Sequence, residues 1–372
     1  MFSLWRNIAR WWFWLIVSCA ANSTTVGQER TTVDSIDTEQ VDESRTWSLS
    51  AAGALPAEPQ PASSVRLDES TPSRRSGSSG NERSPFRLSG TWLPSRPVEG
   101  QPTELSLSGF QSNLAVPIRI APDGGSIWLA TSGLEYVRID TRAIFPDTRI
   151  AVPDELWKFN AGTIHLRSFD NGWSGGGVFS IGTASDKPFA ELRDLTLTSA
   201  AFLNVPSGPR DAWNFSLFYS PTSQLPFPIP GAAYVWRPSE RFSANIGVPF
   251  SLRYQPNEAW TFTADYRPVT AVNLTAGRAL GSDWRIYARY EIVNETYWLA
   301  ERTNTKDRLY LFDQRAAVGI DRKLPRGFVL DVGAAYVFDR RIFQAESFSG
   351  SRTDVLSIDP GAGVSLSLQW VR

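Results

Sequence analysis

The stretch "GSDWRIYARYEIVN", residues 281–294, decides how the rest of the chain reads. Trp284, Ile286, Ala288, Tyr290 and Ile292 are apolar or aromatic, and between them stand Arg285, Tyr287, Arg289 and Glu291, mostly polar or charged. A period of two marks a strand, because successive side chains leave a strand on opposite faces. One face is greasy and the other carries fixed charge. The fold turns on whether the greasy face meets a protein core or lipid.

The same alternation returns through the second half of the chain. Phe242, Ala244, Ile246 and Val248 alternate with Ser243, Asn245 and Gly247, and Trp260, Phe262, Ala264 and Tyr266 alternate with Thr261, Thr263, Asp265 and Arg267. The run from Phe328 to Phe338 and the closing run Val364, Leu366, Leu368, Trp370 behave alike. Between Phe86 and about Asn171 the pattern is noisier. "RPSER" (237–241), "QPNEA" (255–259), "LGSD" (280–283) and "KLPRG" (323–327) place Pro, Gly, Asn and Asp where tight turns need them. "NETYWLAERTNTKDR" (294–308) and the stretch around "ESFSGSRTDVLSIDPG" (346–361) read as long polar loops. Short turns at one end and long loops at the other are the layout of a membrane barrel.

Tryptophan positions favour lipid. Trp236, Trp260, Trp284 and Trp370 all lie in the apolar register at strand ends beside the tight turns, where an indole at a bilayer boundary forms an aromatic girdle. The opposite register then lines a lumen. Its candidates are Arg138, Asp140, Arg142, His165, Arg167, Arg253, Asp265, Arg267, Arg285, Arg289, Glu291, Arg315 and Asp331, with Asp321 and Asp339 beside them. Isolated charges in a dry core cost several kcal/mol each, so a sandwich with that face inward would not stand. A sandwich turned over, with the charges in water, is the competing architecture. The expectation is an all-β, antiparallel, up-and-down transmembrane β-barrel of about 14 strands, with 12 to 16 tolerable, over residues 86–372.

The amino terminus, "MFSLWRNIARWWFWLIVSCAANS", has Arg6 and Arg10, a short apolar stretch and then small residues, the layout of a signal peptide over 1–21. Cys19 is the single cysteine, so no intrachain disulfide can form. Cleavage after Ala21 would discard it; "IVSC" also resembles a lipobox, in which the cysteine is acylated. Residues 22–85 are rich in Ser, Thr, Pro, Gly and acids, and too poor in apolar area to offset ordering entropy, so they read as a disordered extension. A net charge of −1 and a pI of about 6.0 point away from nucleic acid. No run approaches the 18 or so apolar residues that a membrane helix needs, while a mean hydropathy of −0.23 leaves a membrane barrel open.

The stretches "GAAYVWRPSERFSANIGVPFSLRYQPNEAWTFTADYRP" and "GSDWRIYARYEIVNETYWLAERTNTKDRLYLFDQRAAVGIDRKL" resemble an uncharacterised bacterial outer-membrane barrel family, known as a domain of unknown function. The resemblance covers about the last 165 residues well and the region before them loosely. It implies location in the outer membrane; no catalytic or ligand residues are known for that family to carry over. The ending "GVSLSLQWVR" is similar to the carboxy-terminal strand signal read by the barrel-assembly machinery, although Val371 and Arg372 follow the final aromatic.

Little in the chain suggests chemistry. His165 in "GTIHLRSF" is the sole histidine; a general base paired to a serine is one reading and a lumenal polar group facing inward with Arg167 the simpler one. The lack of other histidines removes an ordinary zinc or haem site, so no cofactor is expected. "DNGWSGGGVFSIG" (170–182) lacks the lysine and helix of a phosphate loop; its glycines mark a kink, an inward loop or a place where something packs closely. In "EYVRIDTR" (135–142), Arg138, Asp140 and Arg142 share a face and suit pairing with neighbouring strands. The expected role is porin-like passage of small polar solutes without enzymatic activity. A structural barrel tethering membrane to envelope, or a secreted, lipidated binding sandwich, are the alternatives.

Overall fold

The computed structural model describes residues 85–221, 227–267 and 271–371. The expected signal peptide, Cys19 and the extension up to residue 84 lie outside the described residues, as does the side chain of Arg267. The first strands are β1 (Phe86–Pro97), β2 (Glu104–Ile120), β3 (Ser126–Thr141), β4 (Glu155–Ser168), β5 (Ser174–Ser185) and β6 (Leu195–Pro206). Shorter ones follow: β7 (Ala212–Tyr219), β8 (Ile229–Ser239), β9 (Phe242–Gly247), β10 (Phe250–Tyr254), β11 (Trp260–Arg267) and β12 (Ala271–Leu280). The last five are β13 (Trp284–Tyr297), β14 (Arg308–Lys323), β15 (Phe328–Ala345), β16 (Thr353–Ile358) and β17 (Gly361–Trp370).

Each strand from β1 to β15 pairs antiparallel with the next. β15 then pairs with β17 along its first half and β16 along its second, so these two segments are one stave, interrupted at Asp359 and Pro360. β17 pairs with β1, Trp370 opposite Phe86, and the sheet closes. The fold is a closed antiparallel barrel of sixteen staves, two more than the central expectation of 14 and at the top of the 12-to-16 range. The extra staves fit because β7, β9, β10 and β11 are short, with 8, 6, 5 and 8 residues. The stretch expected as one long loop near 346–361 contains β16, and at the long-loop end β9 and β10 are joined through Val248 and Pro249 alone.

Which face is inside follows from contacts between strands that are not neighbours. Tyr297 on β13 hydrogen-bonds Glu135 on β3, and β14, β15, β17, β1 and β2 lie between them along the wall. Such residues meet only across the lumen. Registers then fix every other facing, because paired residues share a side. Trp284, Ile286, Ala288, Tyr290 and Ile292 point outward; Arg285, Tyr287, Arg289, Glu291, Glu295 and Tyr297 point inward. Between the two ends of the barrel, the outward register holds no charged side chain among the described residues.

Trp236, Trp260, Trp284 and Trp370 all face outward at the tight-turn end, and Trp128 and Trp213 join them there. Side chains lock the turns. Asn257 accepts from the Ala259 and Trp260 N–H groups, both at 3.0 Å. Asp211 accepts from the Arg237 N–H and the Tyr234 hydroxyl, each at 2.8 Å, and these bonds hold its carboxyl below the usual range.

Candidate functional site

The lumen is the candidate site, and its two walls are built differently. On the β13–β15 side the inward register is a belt of paired charge. Arg285 Nε donates to Asp321 Oδ2 at 2.7 Å, and Arg315 forks onto Asp313 at 2.6 and 2.9 Å while lying 3.7 Å from Glu291. Arg289 stacks over the Tyr287 ring at 4.7 Å, and Asp331 stands opposite Asp321. Gly319 makes room for this: a Cβ there would collide with the Tyr287 ring. Pairing of this kind is what lets charges persist on an inner face.

Nearer the long-loop end lies a second polar group. The Tyr297 hydroxyl sits between Glu135 and Glu295, 2.8 Å from the latter, and Lys158 donates to both Glu135 oxygens at 3.2 and 3.3 Å. A cavity of about 90 Å³ separates this group from the belt, lined in part by Ser89, Gln111, Glu135, Glu295, Asp313 and Arg315.

Above it the lumen is dry on this side. Leu105, Ile139, Phe145, Leu156, Leu309 and Ile342 are among sixteen buried apolar residues that meet there, none from β6 to β12. The segment after β13 fixes them in place by crossing to the rim of β5. Trp298 N–H donates to Ala184 O at 2.8 Å, Ala300 N–H to Asp186 Oδ1 at 2.8 Å, and Arg302 pairs with Asp194 at 3.3 Å, both almost fully buried. The 142–154 connection is knotted to β16 through Asp354, whose carboxylate accepts from Asp147 N, Thr148 N, the Thr148 hydroxyl and the Gln344 amide. Lys306 reaches Glu346 across two neighbouring loops at 3.7 Å. Burial, and then that same Glu346, pushes the Asp307 carboxyl up.

The wall from β7 to β12 contributes to none of the three buried apolar clusters. Asn214, Asn245, Arg253, Asp265, Asn273 and Thr275 stand on its inward register. Asn214 and Asn245 lie 3.4 Å apart, and the Asn245 amide donates to Pro249 O at 2.7 Å.

Of the expected lumen residues, Arg253, Asp265, Arg285, Arg289, Glu291, Arg315, Asp321 and Asp331 are on the inward register. Six others are not inside. On β3 and β4 it is Ile127, Leu129, Ile164 and Leu166 that face inward, packed with Phe202 in an apolar cluster. Their neighbours Arg138, Asp140, His165 and Arg167 are therefore outside, and Asp339 sits in an outward bulge, bonded to Gln314 and Arg341. Arg142 is exposed in the connection after β3. His165 stacks on Trp128, ring centroids 4.3 Å apart, with Nε2 2.9 Å from the Ser126 hydroxyl. The glycines before "VFS" form no inward loop: Phe169 N–H and Trp173 O close a tight turn, and Gly176 leaves space for Phe202.

Glu135, Lys158, Glu295 and Tyr297 were missed. Continuing the period of two from Glu291 places Glu295 and Tyr297 inward, so that signal was present.

Residues 100–295, 196 of the 372, match a family model described as "Domain of unknown function (DUF6268)". The match runs across the middle of the chain and overlaps the expected last 165 residues as far as residue 295. No curated protein sequence matches. Among solved structures, the chain is similar to the beta domain of the Bordetella autotransporter BrkA, with 12% identity over 78% of this chain and 99% of that one, at a TM-score of 0.30. The transport unit of the autotransporter AIDA-I from Escherichia coli matches with 12% identity over 77% and 89%, at 0.27. A mutant of Rh. blastica porin matches with 10% identity over 76% and 99%, at 0.26. Scores of this size establish no common geometry.

Proposed function

We propose a function for a chain that belongs to the family described as a domain of unknown function (DUF6268): it is an outer-membrane barrel that passes small polar solutes through its lumen. One observation carries the reading. On β11 to β14 an outward register uncharged between the two ends backs an inward register of Arg, Asp, Asn and Thr, and a bilayer is the surrounding that such a belt requires. Sixteen staves enclose a lumen wider than side chains alone fill. The β7–β12 wall is the polar path, while the segment 298–302 and the apolar residues beneath it close the opposite half. The reading is non-catalytic, with Ser126 and His165 acting as a polar contact at the membrane boundary. Assembly is through β17, as the carboxy-terminal strand signal.

Conductance in planar bilayers tests it. Wild type should give small, infrequent steps, and deletion of residues 299–306 should enlarge them several-fold. A second reading, a structural barrel, is favoured by the apolar filling of one half. Inserted protein that conducts in neither form would decide for it.

A further inference from the structure

The two rims of the outer face carry different charge. At the long-loop end the outward charges are mixed: Arg138, Asp140 and Glu155 on β3 and β4, Asp339 and Arg341 on β15. At the tight-turn end the turns themselves carry Asp123, Asp170, Asp211, Glu240, Glu258 and Asp283, but the strand residues just inside them are of one sign. Among the described residues, the outward register within five residues of those turns contains Arg119, Arg167, Arg278 and Arg322, and no carboxylate. Three of these guanidinium groups lie over outward rings: Arg167 at 5.4 Å from Phe169, Arg278 at 5.6 Å from Trp260, and Arg322 at 4.7 Å from Trp284.

No ion pair joins these arginines to the turn carboxylates among the described residues, so their guanidinium groups face the surroundings of the barrel. An arginine held over a ring is partly ordered, and its N–H groups remain able to make a two-pronged contact. Its stem covers apolar surface while the head reaches the interface. Phosphate is the anion that this fork fits.

Resting on the membrane reading above, we propose that the tight-turn rim is a collar for the phosphates of anionic glycerophospholipid headgroups, held by Arg167, Arg278 and Arg322 on their aromatic platforms. Each positive charge near an anionic surface favours association about fivefold. The collar therefore sets which lipids surround the barrel and which leaflet meets the tight turns.

The test uses the full chain folded into vesicles, with insertion checked by flotation. Quenching of its tryptophans by brominated phosphatidylglycerol against brominated phosphatidylcholine gives the relative association of the two lipids. Wild type should prefer the anionic lipid by about fivefold or more. The variant Arg167→Gln/Arg278→Gln/Arg322→Gln should lose that preference, and the corresponding Lys variant should retain part of it. Millimolar inorganic phosphate should leave the preference unchanged, and its loss there would mean a free-phosphate site, overturning the lipid assignment. A floating protein with no preference, or with one that survives the Gln substitutions, also overturns it. Failure to float with any vesicle overturns the membrane reading instead.

Discussion

The β13–β15 wall and the β3–β4 wall have the same pleat and, in the half nearer the tight turns, opposite linings. On β13 to β15 the apolar residues face out and the charges face in, paired as Arg285 with Asp321 and Arg315 with Asp313. On β3 and β4 the largest aliphatic residues, Ile127, Leu129, Ile164 and Leu166, face in, and Arg138, Asp140 and Arg167 face out toward the ends of the barrel. Periodicity reports a strand in both cases. Which register is inside depends on what fills the volume behind it, paired charge in one wall and Phe202 in the other.

The sharpest way to break this contrast is to place a charge inside each wall. Leu166→Arg puts an unpaired cation into the dry cluster and should cost about 4 kcal/mol. Denaturant titration of the vesicle-folded protein would measure it, and a cost below 1 kcal/mol would mean that the β4 wall is wet. The next effect compares neighbours on β15. Ala334 is outward between Val318 and Val364, and Ala335 inward between Ala317 and Gly363. Ala334→Arg should destabilise the barrel in lipid by about 2–4 kcal/mol and Ala335→Arg by less than half as much. Equal losses in the same titration would remove the lipid assignment of that face. His165→Ala should cost roughly 1 kcal/mol through the lost stack on Trp128, with no change in conductance. A collapse of conductance would return the imidazole to the lumen. Smallest is Arg138→Gln, beyond the uncharged belt, which should shift stability by under about 0.5 kcal/mol.

The architecture was legible where one register was uniformly apolar and the other uniformly polar, as from Trp284 to Ile292, and where Pro, Gly and Asn marked the turns. The girdle tryptophans and the inward Arg285, Arg289 and Arg315 could be read for the same reason. β3 and β4 were misread because Val137, Ile139, Ile164 and Leu166 are as apolar as any outward residue, and only contacts across the lumen reveal which apolar register is enclosed. The closing segment 298–302 was invisible for a related reason. Its partners Ala184, Asp186 and Asp194 lie more than a hundred residues away, and no local pattern announces that Ala300 N–H finds Asp186. β16 was lost because "DVLSI" is too short to show a period against its polar flanks.

The pairing of β1 with β17 has a consequence for the order of events. Phe86 and Trp370 are partners, yet they lie 284 positions apart in the chain. The first stave synthesised must wait for the last, and until then both remain open edges able to pair with another chain. Such a barrel gains little from folding as it emerges. Removal of β17 would take away the seam itself and leave one edge of β1 and one edge of the lower half of β15 without a partner. Closure at this seam therefore follows synthesis of β17 rather than accompanying that of β1.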